Sequence, residues 1–173
     1  GTPGKTTTTS LIASVLAEAG RKVAILDLPY TPLTRGAGSL VLADWLIHDS
    51  YESFRSWPPE FASRVGERWG NDPVHGSTDR MLAQGHSLSS VCDLLLRRAT
   101  HKKELIVETL ASGQWDFLAG AFTEPHDMGH IAWHMHDPAH PRHDDVEGDR
   151  VGPVSARLRD GFLAAARVDD PVT

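Results

Sequence analysis

The sequence predicts an α/β fold, and three features of the chain favour it. Apolar residues at helical spacing begin after Thr8 and Ser10, whose hydroxyl groups are suited to cap a helix. Gly20 stands where that helix would end, and the apolar, β-branched run Lys22–Leu28 predicts a buried strand. A second buried strand is predicted at Phe117–Phe122. Helix, glycine and buried strand in this order are typical of the start of an α/β layered structure.

The middle of the chain predicts fewer regular elements. Tyr30–Asp79 contains many glycine and proline residues and is predicted to be irregular, apart from a short helix at Glu60–Trp69 that would begin with Pro59. Leu88–Leu110 has apolar residues at helical spacing. The polar group Thr100–Lys103 interrupts that spacing.

The composition is that of a folded domain. Hydrophobic residues make up 40% of the 173 residues and charged residues 23%, which excludes a disordered chain. A formal net charge of −6 argues against a broad electrostatic grip on nucleic acid. There is no signal peptide pattern and no apolar run of the roughly 18–20 residues that a membrane span needs. The single cysteine, Cys92, excludes an internal disulfide, so we expect one cytoplasmic domain over residues 1–173.

Histidine residues are concentrated in one short segment. Six of the ten histidines lie within 18 consecutive residues, with four aspartates among them. The histidines are His126, His130, His134, His136, His140 and His143, and the aspartates are Asp127, Asp137, Asp144 and Asp145. A spacing of four residues places His126 and His130 on one face of a helix, and neutral imidazole is a common zinc ligand. The segment therefore predicts a metal site, with a solvated histidine-rich loop as the alternative.

The position of this segment favours the metal site. The histidines directly follow the strand predicted at Phe117–Phe122. In open α/β sheets, ligands bind beyond the carboxyl ends of the strands. Metal-ligand residue types that emerge from the end of a buried strand are therefore well placed.

A family resemblance is carried by Thr123–His134, TEPHDMGHIAWH. This segment resembles one in nucleotide pyrophosphatase/phosphodiesterases, in which EPD, two residues and GH provide two ligands of one zinc ion. On this match His130 corresponds to the histidine ligand, and His126 stands in the place of the aspartate. The type I phosphodiesterase branch of the same alkaline phosphatase superfamily is more similar still. The residues that match its pattern are Glu124, His126, Gly129, His130, Trp133, His134, Asp137, His140 and Pro141.

The resemblance extends towards the start of the chain. Gly20–Leu33, GRKVAILDLPYTPL, is similar to a strand of that family that ends in an aspartate, an aliphatic residue and a proline. Ala43–Asp49, ADWLIHD, and Ser56–Phe61, SWPPEF, are similar to the loop that follows it. Together the similarity covers roughly residues 11–170.

This resemblance implies an alkaline-phosphatase-like α/β fold, in which helices cover both faces of a mostly parallel sheet and residues 1–173 form a single, partial domain. It implies a hydrolase of small phosphate esters that uses two metal ions, usually zinc, beside a serine or threonine nucleophile. His126 and His130 would hold one ion, for which manganese is an alternative. Surrounding residues, or further ligands, would be Glu124, His134, Asp137 and His140. The nucleophile and the family's aspartate-histidine-glycine motif are not found here, so we expect an inactive part of a longer protein.

A second resemblance lies at the first residues. Gly1–Thr7, GTPGKTT, is similar to the end of a P-loop, whose backbone N–H groups cradle phosphates. Gly1–Asp27 resembles the opening of ParA/MinD-type ATPases, although the first glycine of the motif and the preceding strand are missing. The phosphate-binding residues would be Gly4, Lys5 and Thr6. A P-loop ATPase and a non-catalytic metal-binding module therefore stay open as alternatives.

Overall fold

The structure is a computed structural model that describes residues 3–29, 31–47, 54–74, 77–113, 115–133 and 139, with side chains from residue 8 onward. The elements in chain order are α1 (Pro3–Glu18), β1 (Val23–Leu26), β2 (Ser39–Ala43), β3 (Arg55–Trp57), α2 (Pro59–Trp69), α3 (Thr78–Ala83), α4 (Leu88–Ser112), β4 (Phe117–Gly120) and α5 (Glu124–Ala132). The sequence predicts one domain, and the chain divides into two compact units. The described residues within 1–72 and 104–121 form the first unit, and those within 73–103 and 122–173 form the second.

The first unit contains an open, mostly parallel sheet of four strands in the order β3-β2-β1-β4. Strand β1 is parallel to both β2 and β4, whereas β3 is antiparallel to β2. All four residues of β1 are buried, because this strand has a neighbour on each side and helices above and below. The α/β class, the mostly parallel sheet and the buried strand in Lys22–Leu28 are confirmed.

Helices cover both faces of this sheet. Side chains of a strand alternate between faces, so Ile25 and Leu26 point in opposite directions. Ile25 packs with Ala13 of α1 on one face. Leu26 packs on the other face with Phe61 of α2 and Leu105 of α4.

The end of α1 is set by Gly20, as predicted. The Gly20 N–H donates to the carbonyl of Ala17 at 3.0 Å, and the Arg21 N–H donates to the carbonyl of Leu16 at 2.9 Å. This is a Schellman motif, and it places Gly20 at a φ of 73°, where a residue with a Cβ would be strained.

The start of α1 differs from the prediction. The helix begins at Pro3, so Thr8 and Ser10 lie inside it and do not cap it. A proline in the first turn is favourable because its fixed φ suits a helix and its missing N–H would have had no helical partner. β-branched threonine lowers helix propensity only slightly, so the threonine run does not prevent the helix.

The stretch Tyr30–Asp79 contains more regular structure than predicted. Helix α2 confirms the short helix that begins with Pro59. Strands β2 and β3 were expected to be irregular chain, and that expectation is wrong. Both strands are short, and they form because β2 pairs with the buried strand β1 and β3 pairs with β2. The local composition does not predict these strands, because it is dominated by the glycines and prolines around them.

Helix α4 is continuous through Thr100–Lys103, where the apolar spacing is interrupted. Lys102 is 2% exposed, although lysine is almost never buried unless it is paired. Its partner is the carboxylate of Glu124. The apolar period fails at Lys102 because an ion pair takes the place of apolar contacts there, while the helix itself continues.

Strand β4 forms within the predicted segment Phe117–Phe122, but it ends at Gly120 and it is not buried. Phe117, Leu118 and Ala119 are half-buried and Phe122 is 41% exposed, because β4 pairs only with β1 at one edge of the described sheet. Gly120 allows a close approach of α4, since a Cβ there would lie 3.0 Å from Cδ1 of Ile106.

The second unit contains α3, the first part of α4 and α5. Its apolar core includes Met81 of α3, Val91 and Leu95 of α4, and Ile131 and Ala132 of α5. Among the described residues, no helix has the length and apolar character to cross a membrane.

Candidate metal centre

Helix α5 carries the two predicted metal ligands. The N–H groups of His126 and Asp127 both donate to the carbonyl of Thr123, at 3.0 and 3.2 Å, and this closes the first turn. The Thr123 side chain makes no capping hydrogen bond. Two acidic residues in the first turn, Glu124 and Asp127, are favourable near the positive end of the helix dipole.

The imidazoles of His126 and His130 lie side by side on the exposed face of α5. Their Nε2 atoms are 3.1 Å apart, and the rings meet edge to face with centroids 4.5 Å apart. Two nitrogens that each bind one tetrahedral zinc at about 2.0–2.1 Å are separated by about 3.3 Å. The predicted proximity of these two side chains is therefore confirmed, and their separation suits two ligands of one ion. We refer to His126 and His130 as the imidazole pair.

Four charged side chains are buried between α4 and α5. Nη1 of Arg98 lies 3.0 Å from Oδ2 of Asp127, and Nζ of Lys102 lies 3.1 Å from Oε1 of Glu124. None of the four side chains is more than 2% exposed. Buried charges are costly unless they are paired, and here two cations face two carboxylates. We refer to these four residues as the charged cluster.

The charged cluster and the imidazole pair occupy different sides of α5. Side chains advance by about 100° per residue in a helix, which places the Glu124 and Asp127 pair about 110° around the helix from the His126 and His130 pair. Glu124 is fully buried, so the structure does not bring it to the imidazole pair. Among the described residues, no three histidine, cysteine, aspartate or glutamate side chains are grouped to hold a metal ion.

The remaining site residues predicted from the sequence are located as follows. His134, Asp137 and His140 lie outside the described residues. Gly4, Lys5 and Thr6 lie in the first two turns of α1, and their side chains are also outside the description.

Sequence reasoning missed Arg98 and Lys102. The signal was present, because these two basic residues are four apart and lie on one face of α4. The break in apolar spacing falls at the same place. The complementary signal is the acidic pair Glu124 and Asp127, which lies on the apolar side of α5.

A second polar group lies in the first unit, at the carboxyl ends of β1 and β2. The carboxylate of Asp27 accepts hydrogen bonds from the N–H groups of Trp45 and Leu46, both at 2.9 Å. Nη1 of Arg55 lies 3.1 Å from Oδ2 of Asp44. Burial raises the pKa of the Asp44 carboxyl above its ordinary value, the Arg55 charge opposes this, and the Asp27 charge adds to it. These carboxylates organise the turn after β2.

A groove of about 500 Å³ lies between α2 and the end of α4, also in the first unit. Arg68 on its rim forms an ion pair with Glu108, and Nε1 of Trp69 donates to Oε2 of Glu104 at 2.7 Å. Its floor is apolar and includes Phe61. Of the predicted site residues that the structure describes, none lines this groove.

The fold and the imidazole pair together define a broad class, an open α/β protein that carries a candidate metal-binding helix. Comparison of the chain with protein-family models, curated proteins and solved structures gives no match. The type I phosphodiesterase resemblance therefore stays a prediction.

Proposed function

We propose that this chain provides part of the metal centre of a phosphodiesterase-type phosphoric ester hydrolase of the alkaline phosphatase superfamily. The observation that carries the proposal is the 3.1 Å separation of the Nε2 atoms of His126 and His130. The surrounding sequence, TEPHDMGHIAWH, supports it through its similarity to the zinc-binding segment of that superfamily.

The ligand set favours an anionic substrate. Two neutral imidazoles hold a divalent ion such as zinc without reducing its charge, whereas the carboxylate found in the pyrophosphatase branch would reduce it. When bound, the ion supplies Lewis-acid stabilisation of phosphoryl oxygens. His126 and His130 orient it from an exposed helix face, which a small phosphate ester can reach. The net charge of −6 disfavours a long nucleic acid as substrate.

Metal binding is testable in this chain by calorimetric titration with zinc and with manganese. We expect His126→Ala and His130→Ala each to weaken binding at least tenfold, because each removes one of two ligands. His86→Ala is the matched control, since His86 is exposed and distant in sequence from α5.

Hydrolysis is tested in the whole protein that contains these 173 residues, with bis-p-nitrophenyl phosphate as substrate. The expected result is activity that a chelator removes and added zinc or manganese restores. Activity that persists in both His126→Ala and His130→Ala would overturn the proposal. Metal binding without hydrolysis would favour the non-catalytic metal-binding module.

The ATPase alternative is separated by a thermal shift with MgATP. We expect the nucleotide to leave the melting temperature of the chain unchanged. A rise in melting temperature that Lys5→Ala abolishes would favour a P-loop function.

A further inference from the structure

The first turn of α5 is held in an unusual way. Helices shorter than about 12–15 residues are marginal by themselves, and α5 has only nine. The hydroxyl of Thr123, in the N-cap position, does not cap the helix but accepts a hydrogen bond from Nζ of Lys102 at 3.4 Å. The first turn of α5 therefore depends on contacts with other parts of the chain.

The two ends of α5 are anchored by different kinds of contact. Ile131 and Ala132, at the end of the helix, pack in the apolar core of the second unit with Val91 and Leu95. The buried face of the first turn instead contacts charged side chains of α4.

Charge pairing fixes the position of the first turn. Asp127 pairs with Arg98, and Glu124, one turn earlier on α5, pairs with Lys102, one turn later on α4. The two helices therefore run antiparallel at this contact, and each carboxylate faces a cation at 3.0 or 3.1 Å, while Nε of Arg98 also lies 3.9 Å from Oε1 of Glu124. A displacement of the first turn by one residue or more would leave buried charges without a partner at hydrogen-bonding distance, which is strongly unfavourable.

The Glu124 carboxylate makes this dependence especially clear. It is fully buried, and neither of its oxygens has a hydrogen bond within the described part of the chain. The ammonium of Lys102 at 3.1 Å is therefore the nearest compensation for its charge, and Nε of Arg98 is further away, at 3.9 Å. Without that ammonium, only Arg98 at 3.9 Å would oppose the buried charge, so we expect Glu124 to turn towards water and the turn that carries it to open.

His126 lies in this same turn, whereas His130 lies one turn further on. The imidazole pair exists only while both turns are helical, because the spacing of four residues brings the rings together only in a helix. Loss of the first turn would move His126 away and would leave His130 in place.

From these contacts we propose that the charged cluster is a positioning device for His126. Lys102 and Glu124, supported by Arg98 and Asp127, hold the first turn of α5 helical and so keep His126 beside His130. They are positioning residues and do not touch the metal ion. This inference rests on the proposed function, because it assigns the cluster to the same metal site.

The test combines the cluster with the imidazole pair in a double-mutant cycle in the full 173-residue chain. Lys102→Met with Glu124→Gln, which removes both charges at nearly constant side-chain volume, is the control. The tested background is Lys102→Met, which leaves the buried Glu124 carboxylate without its nearest cation. Zinc affinity is measured by calorimetry in this background and in the wild type, each with and without His126→Ala or His130→Ala. Disturbing the partners that orient a metal ligand typically weakens binding by about 10–100-fold.

We expect Lys102→Met to bind zinc about 10–100-fold more weakly than wild type, and the double variant, which leaves neither charge of this pair, to bind it with an affinity between the two. His126→Ala should have little further effect in the Lys102→Met background, because His126 has already left the pair. His130→Ala should still abolish the remaining binding. Lys102→Arg, which keeps the charge, should behave as wild type.

Two results would overturn the inference, and only the second would also overturn the proposed metal site. If His126→Ala weakens zinc binding by the same factor in both backgrounds, the cluster only stabilises the fold, and the metal-site proposal survives. If wild-type zinc binding is absent or insensitive to His130→Ala, both proposals fail. Should Lys102→Met not fold, the Glu124→Gln single variant and the double variant in the same cycle provide the comparison.

Discussion

The Nζ atom of Lys102 lies 3.1 Å from Oε1 of Glu124, and both side chains are almost completely shielded from water. Lys102→Met alone should lower the free energy of unfolding by about 3–5 kcal/mol, because it leaves the buried Glu124 carboxylate without its nearest cation and with only Arg98 at 3.9 Å. Lys102→Met with Glu124→Gln should lose much less, since neither charge remains. Urea unfolding at neutral pH measures both. Equal losses in the single and double variants would show that Glu124 tolerates burial without Lys102.

The imidazole pair predicts metal-dependent stability. A ligand that binds only the folded state stabilises it by about 2.7 kcal/mol at a hundredfold excess over its Kd. Zinc or manganese should therefore raise the melting temperature of the wild-type chain, and His130→Ala should remove most of that rise. His86→Ala should leave it intact. If both variants lose the same amount, the chain binds metal diffusely through many histidines.

Asp27 predicts a strong dependence of stability on one side chain of the first unit. Its φ is 54°, and its carboxylate accepts two buried N–H groups, those of Trp45 and Leu46. Asp27→Ala should cost about 3–5 kcal/mol, because both donors lose their acceptor and alanine tolerates this φ poorly. Asp27→Asn should cost roughly half as much, since asparagine accepts positive φ and keeps one acceptor. Thermal and urea unfolding check this order, which equal costs would contradict.

Cys92 predicts loss of stability in alkaline solution. Burial, with a smaller contribution from the Asp93 charge, raises the pKa of its thiol from 9.0 to about 11. The folded state therefore favours the protonated thiol, so this contribution is complete below about pH 9 and is lost as the pH rises towards about 11. Unfolding measured from pH 8 to 11 should show the loss, and Cys92→Ala should remove it. At pH 8 only about one thiol in a thousand would be ionised, so alkylation should be slow.

Substitution of His126 predicts a change of metal preference in the whole protein. His126→Ala should lower kcat and kcat/KM together by roughly a thousandfold or more, because it removes a ligand of a metal that stabilises the transition state. His126→Asp should keep measurable activity and prefer manganese, since carboxylate oxygens suit harder cations. Steady-state assays with each metal test this. Comparable activity in the wild type, His126→Ala and His130→Ala would contradict the metal centre.

Local physics made several elements predictable from the sequence alone. Gly20 ends α1 because a left-handed residue completes the Schellman motif there. The apolar, β-branched run Lys22–Leu28 forms the central strand, and Pro59 begins α2. His126 and His130 meet because four residues make about one turn of a helix. Each of these outcomes depends on a few neighbouring residues.

Tertiary structure decided what depends on distant partners. Strand β2 forms because it pairs with β1, and β4 is only half-buried because it lies at the edge of the described sheet. Lys102 is buried because Glu124, on another helix, supplies the opposite charge. Apolar periodicity indicates which residues avoid water when they are considered one at a time. Apolar periodicity cannot predict a buried ion pair, because each charge is stable in the protein interior only while the opposite charge lies beside it.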